Sequence, residues 1–263
     1  MNLIKKKLHA STRLNLLLGL FGYYADHIDY VRKYYPTRLI PQDLSTRRSS
    51  DTIYVLGSGS SINNLSKKDW ENINFHDSLA LNRWYKSNFV PTFWMWEPPR
   101  VGKTRIDEYY EMHKLLDNKN CFTILKNWQH LYKYFSNDEA RSLACKFDSS
   151  VMIRRAHIYD QKQMNDLKKY LKGQYFHFFR GSIFLAICIA RIAGYKKIIL
   201  CGVDMRGGAF WENETKNSAI DHGTAIKKHG LSMGDALLAL KDLLLEDHIV
   251  LSTHNTCRFQ LRD

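Results

Sequence analysis

Cysteine is scarce in this chain and follows no pattern. Cys121, Cys145, Cys188, Cys201 and Cys257 are odd in number, far apart and never in C-x-x-C spacing. That excludes a zinc module or a disulfide scaffold and points to reduced thiols in a cytosolic setting. Cys188 and Cys201 lie within apolar runs, as buried core thiols do. The apolar stretch Leu14 to Tyr24 is eleven residues long and broken by Asn15, whereas crossing a bilayer takes about 20 apolar residues. No small-residue cleavage site follows it, so no secretory signal is expected. Internal repeats and low-complexity tracts are absent. So are a GxxxxGK[ST] loop, an Asp-x-Asp pair and a His/carboxylate cluster at helical ligand spacing, which sets aside a P-loop NTPase and favours a metal-independent site.

What is present suits a folded enzyme domain. At 263 residues and 44% hydrophobic content the chain can bury a full core, enough for one α/β domain with an appendage. The formal net charge is +13, an excess that favours a phosphate-bearing substrate, an anionic membrane surface or nucleic acid. Within residues 1–50, Lys5, Lys6 and Lys7 precede the Leu-rich stretch and its tyrosines. This basic, amphipathic extension is suited either to a helix lying on the inner leaflet or to one packed on the main domain.

From Asp51 onward, strands and helices alternate. Ile53 to Leu56, Ser78 to Leu81, Thr92 to Trp96, Phe122 to Leu125 and Lys197 to Cys201 read as strands. Ser66 to Trp70 starts a helix with Ser66 and Asp69 at capping spacing. Arg105 to Leu116, Gln129 to Ser136, Asp138 to Cys145 and Ser182 to Ile192 read as helical. This alternation predicts an α/β fold: one Rossmann-like, doubly wound parallel sheet with its ligand at the carboxyl ends of the strands. The domain spans 51–263 and carries a lid at about 205–232.

Three clusters fall at those ends. The first is the turn Gly57-Ser58-Gly59-Ser60-Ser61, where glycines free the backbone to take unusual angles and main-chain N–H groups and hydroxyls at a helix N-terminus could receive an anion. It lacks the third glycine of a dinucleotide fingerprint at position 62, and the second strand ends in Asn82-Arg83 where a ribose-binding carboxylate would be needed, so an NAD-dependent enzyme is disfavoured. The second cluster is Phe179-Arg180-Gly181-Ser182, with Ser182 as an N-cap whose hydroxyl can face a ligand. The third follows Asp204: Met205-Arg206-Gly207-Gly208-Ala209-Phe210-Trp211, then a polar stretch to Lys228-His229-Gly230, the make-up of an active-site lid.

Taken in order, these clusters, with Leu81-Asn82-Arg83-Trp84-Tyr85 at strand two and Gly194-Tyr195-Lys196-Lys197 running to Gly202-Val203-Asp204, resemble the bacterial CMP-sialic-acid-dependent sialyltransferases of glycosyltransferase family 42, or a related CMP-Kdo-using transferase of lipopolysaccharide cores. The resemblance covers most of 51–263. It implies a GT-A-like domain acting as a metal-independent inverting glycosyltransferase with no cofactor, since the CMP-sugar donor is the substrate. By position it puts the donor near Gly57, Ser58, Gly59 and Asn82, with Ser182 at the nucleotide and Asp204 beneath it. His229 matches the base that deprotonates the acceptor hydroxyl, a task suited to an imidazole, and its separation from Asn255 agrees with the family's spacing. His222 and His254 are the competing bases.

This chain departs from the family at the donor site. Arg206 stands at the first of two positions where the family has a tyrosine assisting the departing phosphate, with Phe210 and Trp211 near the second, and Ser58 stands where Asn is usual. Arg206 can serve as a cation on the phosphate, while Arg83 and Arg180 can meet the donor carboxylate. The mechanism survives these departures and the sugar specificity stays open, with CMP-Kdo close behind CMP-sialic acid. The implied acceptor is a glycolipid or oligosaccharide, assembled in the cytoplasm at the inner membrane surface, and an oligomer is compatible with it. Trp94 and Trp96 suit core packing slightly better than stacking on sugar rings. A basic RNA-binding domain is the contrasting class, but no RRM, KH or helix-turn-helix signature accompanies the basic and aromatic run Tyr30 to Arg38, so no nucleic-acid partner is expected. A pterin pyrophosphokinase-like enzyme, which needs ATP and a divalent metal, is the third class.

Overall fold

Short strands, buried at the centre and more open at the β7 edge, build this molecule around one parallel sheet. The computed structural model describes residues 41–98, 121–126, 131, 135–151, 181–205, 209–210 and 232–261. In chain order the elements are α1 (Pro41–Ser45), β1 (Thr52–Leu56), α2 (Lys67–Phe75), β2 (Asp77–Leu81), β3 (Phe93–Trp96), β4 (Phe122–Lys126), α3 (Asn137–Ala144), β5 (Ser149–Val151), α4 (Gly181–Ile192), β6 (Lys197–Cys201), α5 (Met233–Glu246) and β7 (Val250–Thr253). The sheet is seven-stranded in the order β5-β4-β3-β2-β1-β6-β7, and every pair is parallel. The α/β, doubly wound parallel sheet is therefore the fold. Because the chain winds outward from β1 in both directions, the crevice between the carboxyl ends of β1 and β6 is the topological switch point.

Alternation along β1 shows why both faces must be covered. Ile53 and Val55 join a cluster with α4 and α5, while Tyr54 and Leu56 join a second one with Ile73 of α2, Leu143 of α3, Trp94 and Trp96. Residues one apart on a strand point to opposite faces. Helix α4 is apolar on all sides, with Ile183 through Ala190 buried, as a helix enclosed by other elements must be. Each such Leu, Ile or Phe contributes about 1.5–3 kcal/mol on burial.

The amino ends of the strands are closed by residues 41–50, which the sequence assigns to the extension. Leu44 is fully buried. Asp77, also buried, accepts from Ser49 N and Oγ, Ser50 N and the Tyr195 hydroxyl at 2.6 to 3.1 Å. Arg48 reaches across to the Gly194 carbonyl and to Asp51, each at 2.6 Å. Leu44, Arg48, Ser49 and Ser50 thus pack on the sheet domain. Cys188, Cys201 and Cys257 are buried, and none of the five cysteines forms a disulfide. The expected helix 105–116, most of 129–136, residues 1–40 and nearly all of the lid fall outside the described residues.

Candidate active site at the switch point

The glycine turn is shaped by the chain itself. Gly57 N donates to the Cys201 carbonyl at 2.7 Å and Gly59 N to the Gly202 carbonyl at 2.8 Å, so the turns ending β1 and β6 lie directly against each other. A Cβ on Gly57 would stand 2.5 Å from Gly202 O, and one on Gly59 would meet Gly202 O at 2.7 Å and run into the Asp204 carboxylate. The sequence reading invoked unusual backbone angles here. Gly59 instead has φ −70° and ψ 153°, and the positive φ belongs to Gly202, at 65°. The glycines are needed because two backbones meet, and their N–H groups are spent on that meeting.

Asp204 takes up a further donor. It is buried, its Oδ2 accepts from Ser61 N at 2.9 Å and its Oδ1 from Arg258 N at 3.1 Å. A carboxylate of the chain thus occupies the start of the short 3-10 turn Ser60–Asn64, the place where the sequence suggested an incoming anion. Asp204 ties the loop after β7 to the turn after β1. What the turn offers a ligand is hydroxyls: Ser60 Oγ and Ser61 Oγ are buried without a hydrogen-bond partner among the described residues, a condition that calls for an explanation in a folded protein.

A second group of residues lies at the ends of β2, β3 and β4. Asn82, the residue after β2, adopts φ 53° and ψ −115°, a region that costs a non-glycine residue about 1–3 kcal/mol. It is pinned there: its N–H donates to the Met95 carbonyl at 2.8 Å, and its own carbonyl accepts from the Trp94 indole at 2.9 Å. Ser182 lies inside the first turn of α4, not at its N-cap, and Gly181 before it has φ 68°. The Ser182 hydroxyl stands 3.5 Å from Asn82 Oδ1. It also receives a hydrogen bond from Lys126 Nζ at 3.0 Å, and Lys126 pairs with Glu97 at 2.6 Å. The Lys126 side chain is 1% exposed.

Sequence reasoning missed Lys126 and Glu97. A signal existed in each case, since Lys126 closes an otherwise apolar strand and Glu97 follows the buried Phe93–Trp96. Burying either charge alone would be costly, so each implies a partner, but their 29-residue separation hides the pairing.

The visible fragment of the lid covers the glycine turn. Ala209 bridges to Gly59, Phe210 N donates to the Ser58 carbonyl at 3.0 Å, and the Phe210 carbonyl accepts from Asn63 Nδ2 at 3.0 Å. The Phe210 ring meets Trp84, with centroids 5.1 Å apart. Met205, where the lid leaves β6, has φ 60°. Arg83 is half-buried in the 3-10 turn Arg83–Lys86 just after Asn82. Trp94 and Trp96 are buried and stack on Phe147, so they pack the core rather than face a sugar.

His254 follows β7. Its Nε2 lies 3.3 Å from Asp69 Oδ1 and its Nδ1 2.9 Å from Thr256 Oγ1, which engages both ring nitrogens in holding the loop. Asn255 is exposed. Arg180, Arg206, His222 and His229 lie outside the described residues. The structure thus brings together Gly57, Ser58, Gly59 and Asp204 at one turn and Asn82 and Ser182 beside it. Among the described residues no group of three or more His, Cys, Asp or Glu side chains could hold a metal ion.

No family model matches the sequence, and no curated protein is similar to it. Solved structures with a partial likeness include the monofunctional alpha-2,3-sialyltransferase Cst-I of Campylobacter jejuni, 16% identical, with 80% of this chain and 77% of that one covered and a TM-score of 0.45. The sialyltransferase CST-II in complex with a trisaccharide acceptor and CMP is 19% identical, with 80% and 82% covered and a TM-score of 0.46. At this level of overlap neither structure assigns a residue or an activity to this chain.

Proposed function

We propose that this chain is a metal-independent, inverting glycosyltransferase that moves a CMP-activated ulosonic acid, sialic acid, onto a lipooligosaccharide or related glycan acceptor. One observation carries the reading: Asn82 and Ser182, 100 residues apart and singled out separately as donor-binding positions, stand side by side. Both lie at the carboxyl side of the sheet, where doubly wound folds bind their ligands. The strain at Asn82 agrees with this, because such backbone geometry persists where a site needs it. In this reading the buried Ser60 hydroxyl, just after the glycine turn, supplies a further donor.

In this reading the donor's cytidine phosphate lies along the Gly57–Gly59 turn and Asn82. Arg206 neutralises the departing phosphate, Arg180 meets the donor carboxylate, and His229 takes the acceptor proton. CMP-Kdo is the second reading, and Ser58 favours it by standing where the sialyltransferases usually carry Asn. The basic segment of residues 1–40 would hold the enzyme on the inner face of the membrane. No described helix is long and apolar enough to cross one.

The test is thermal stabilisation of the purified full chain in EDTA by CMP, CMP-sialic acid, a stable CMP-Kdo analogue, ATP and NAD. A ligand at a hundred times its Kd adds about 2.7 kcal/mol of stability, so a shift confined to the cytidine monophosphates is expected, and the sugar nucleotide with the larger shift names the donor. Turnover with His229→Ala should fall at least a hundredfold. A shift with ATP and magnesium only, or with RNA, would reject the proposal.

A further inference from the structure

The buried Lys126 has no place in the mechanism above, yet it is the most costly side chain near the site. It is 1% exposed, paired with Glu97 at 2.6 Å, and also donates to Ser182 Oγ at 3.0 Å. An ammonium group can only donate, so the Ser182 oxygen is the acceptor in that bond. The serine proton is thereby directed away from Lys126. Its one other described neighbour is Asn82 Oδ1, at 3.5 Å and so only weakly held. Once Oδ1 faces Ser182, the Asn82 amide nitrogen points elsewhere, and it donates to no described residue.

We infer that Lys126 is a positioning residue that turns the Ser182 proton away from itself, so that the Ser182 hydroxyl and the Asn82 amide form a donor pair for an oxyanion, a phosphate or carboxylate oxygen of the ligand. Glu97 serves as the counterion that lets the ammonium stay buried when no ligand is present. A free serine hydroxyl rotates between donating and accepting. Here the Lys126 bond takes one of the two lone pairs and keeps the proton off that side, which biases the hydroxyl toward donating to an anionic oxygen. The inference deepens the proposed function, because it names the group of the donor that Ser182 and Asn82 recognise, and it rests on that reading for the identity of the donor.

The experiment is isothermal titration of the full chain with CMP, CMP-sialic acid and inorganic pyrophosphate, for wild type, Lys126→Met, Lys126→Arg, Ser182→Ala and the double variants Lys126→Met/Ser182→Ala and Lys126→Met/Glu97→Met. Lys126→Met should weaken binding about tenfold, as should Ser182→Ala, and Lys126→Met/Ser182→Ala should be no weaker than either single change, since the lysine acts through the serine. Lys126→Arg should recover part of the loss. Removing both charges in Lys126→Met/Glu97→Met avoids stranding either member of the pair, and a melt of this variant checks that it folds. Binding that stays weak in this variant supports the inference, while binding as tight as wild type overturns it and leaves the proposed function standing. If the wild type binds neither cytidine ligand but binds pyrophosphate in a Lys126-dependent way, the proposed function falls and the inference stands. If the wild type binds none of the probes, both fall.

Discussion

At the scale of single residues, the site is held by geometry that costs stability. Asn82 at φ 53° and ψ −115° is in a conformation open to glycine and expensive for other residues. Asn82→Gly should therefore relieve about 1 kcal/mol of strain and raise Tm by about 2–4 °C, while weakening CMP binding because the amide is gone. A paired melt and titration measures both, and a fall in Tm would show that the strain is not there. Residues at this scale were partly legible. Asn82, Ser182 and Asp204 stood out by type and position, but only the structure shows Asp204 spent on Ser61 and Arg258. The glycines were identified for the wrong cause, because a close approach between residues 57 and 202 leaves no mark in the local sequence.

At the scale of elements, local chemistry was the best guide. Ser66 and Asp69 form the capping box their spacing promised: the Ser66 hydroxyl accepts from Asp69 N, and Asp69 Oδ2 accepts from Ser66 N and Oγ. Those bonds from Ser66, side chain first and backbone next, hold the Asp69 carboxyl below its ordinary 3.8. A lowered folded value means stability that is present above the unfolded pKa and lost as pH falls through the folded one. Ser66→Ala should cost about 1 kcal/mol at pH 7 and less at an acid pH below the folded Asp69 value, where the carboxyl no longer accepts as an anion. Urea midpoints at the two pH values check this, and an equal loss at both would sink it. Helix α5, which the sequence reading does not anticipate, starts directly after the lid with a similar cap, the Ser232 hydroxyl accepting from Asp235 N. The strands β5 and β7, of three and four residues, are too short to show a period.

At the scale of the whole molecule, protons are needed at both ends of the sheet. At the carboxyl end the Cys257 thiol donates to the Leu200 carbonyl at 3.2 Å and lies beside the fully buried Cys201. At the amino end the Tyr195 hydroxyl donates to Asp77 at 2.8 Å. Burial pushes both thiols above their ordinary 9.0. Burial first, then the bond to Asp77, pushes the Tyr195 phenol above its ordinary 10.0. With raised values the folded chain holds protons that the unfolded chain releases, so stability is complete below the unfolded pKa and declines as pH rises beyond it. The decline should begin near pH 9 with the thiols and steepen near pH 10 with Tyr195, each group adding up to about 1.4 kcal/mol per pH unit. Tyr195→Phe should lower stability at pH 7.5 by stripping Asp77 of a donor, yet flatten the loss between pH 10 and 11, because the group that titrates there is gone. Denaturant midpoints across pH 7.5 to 11, in reducing buffer, decide it. A Tyr195→Phe curve that runs parallel to wild type throughout would mean that the phenol is ionised as readily in the fold as out of it, and that the amino end of the sheet does not depend on its proton.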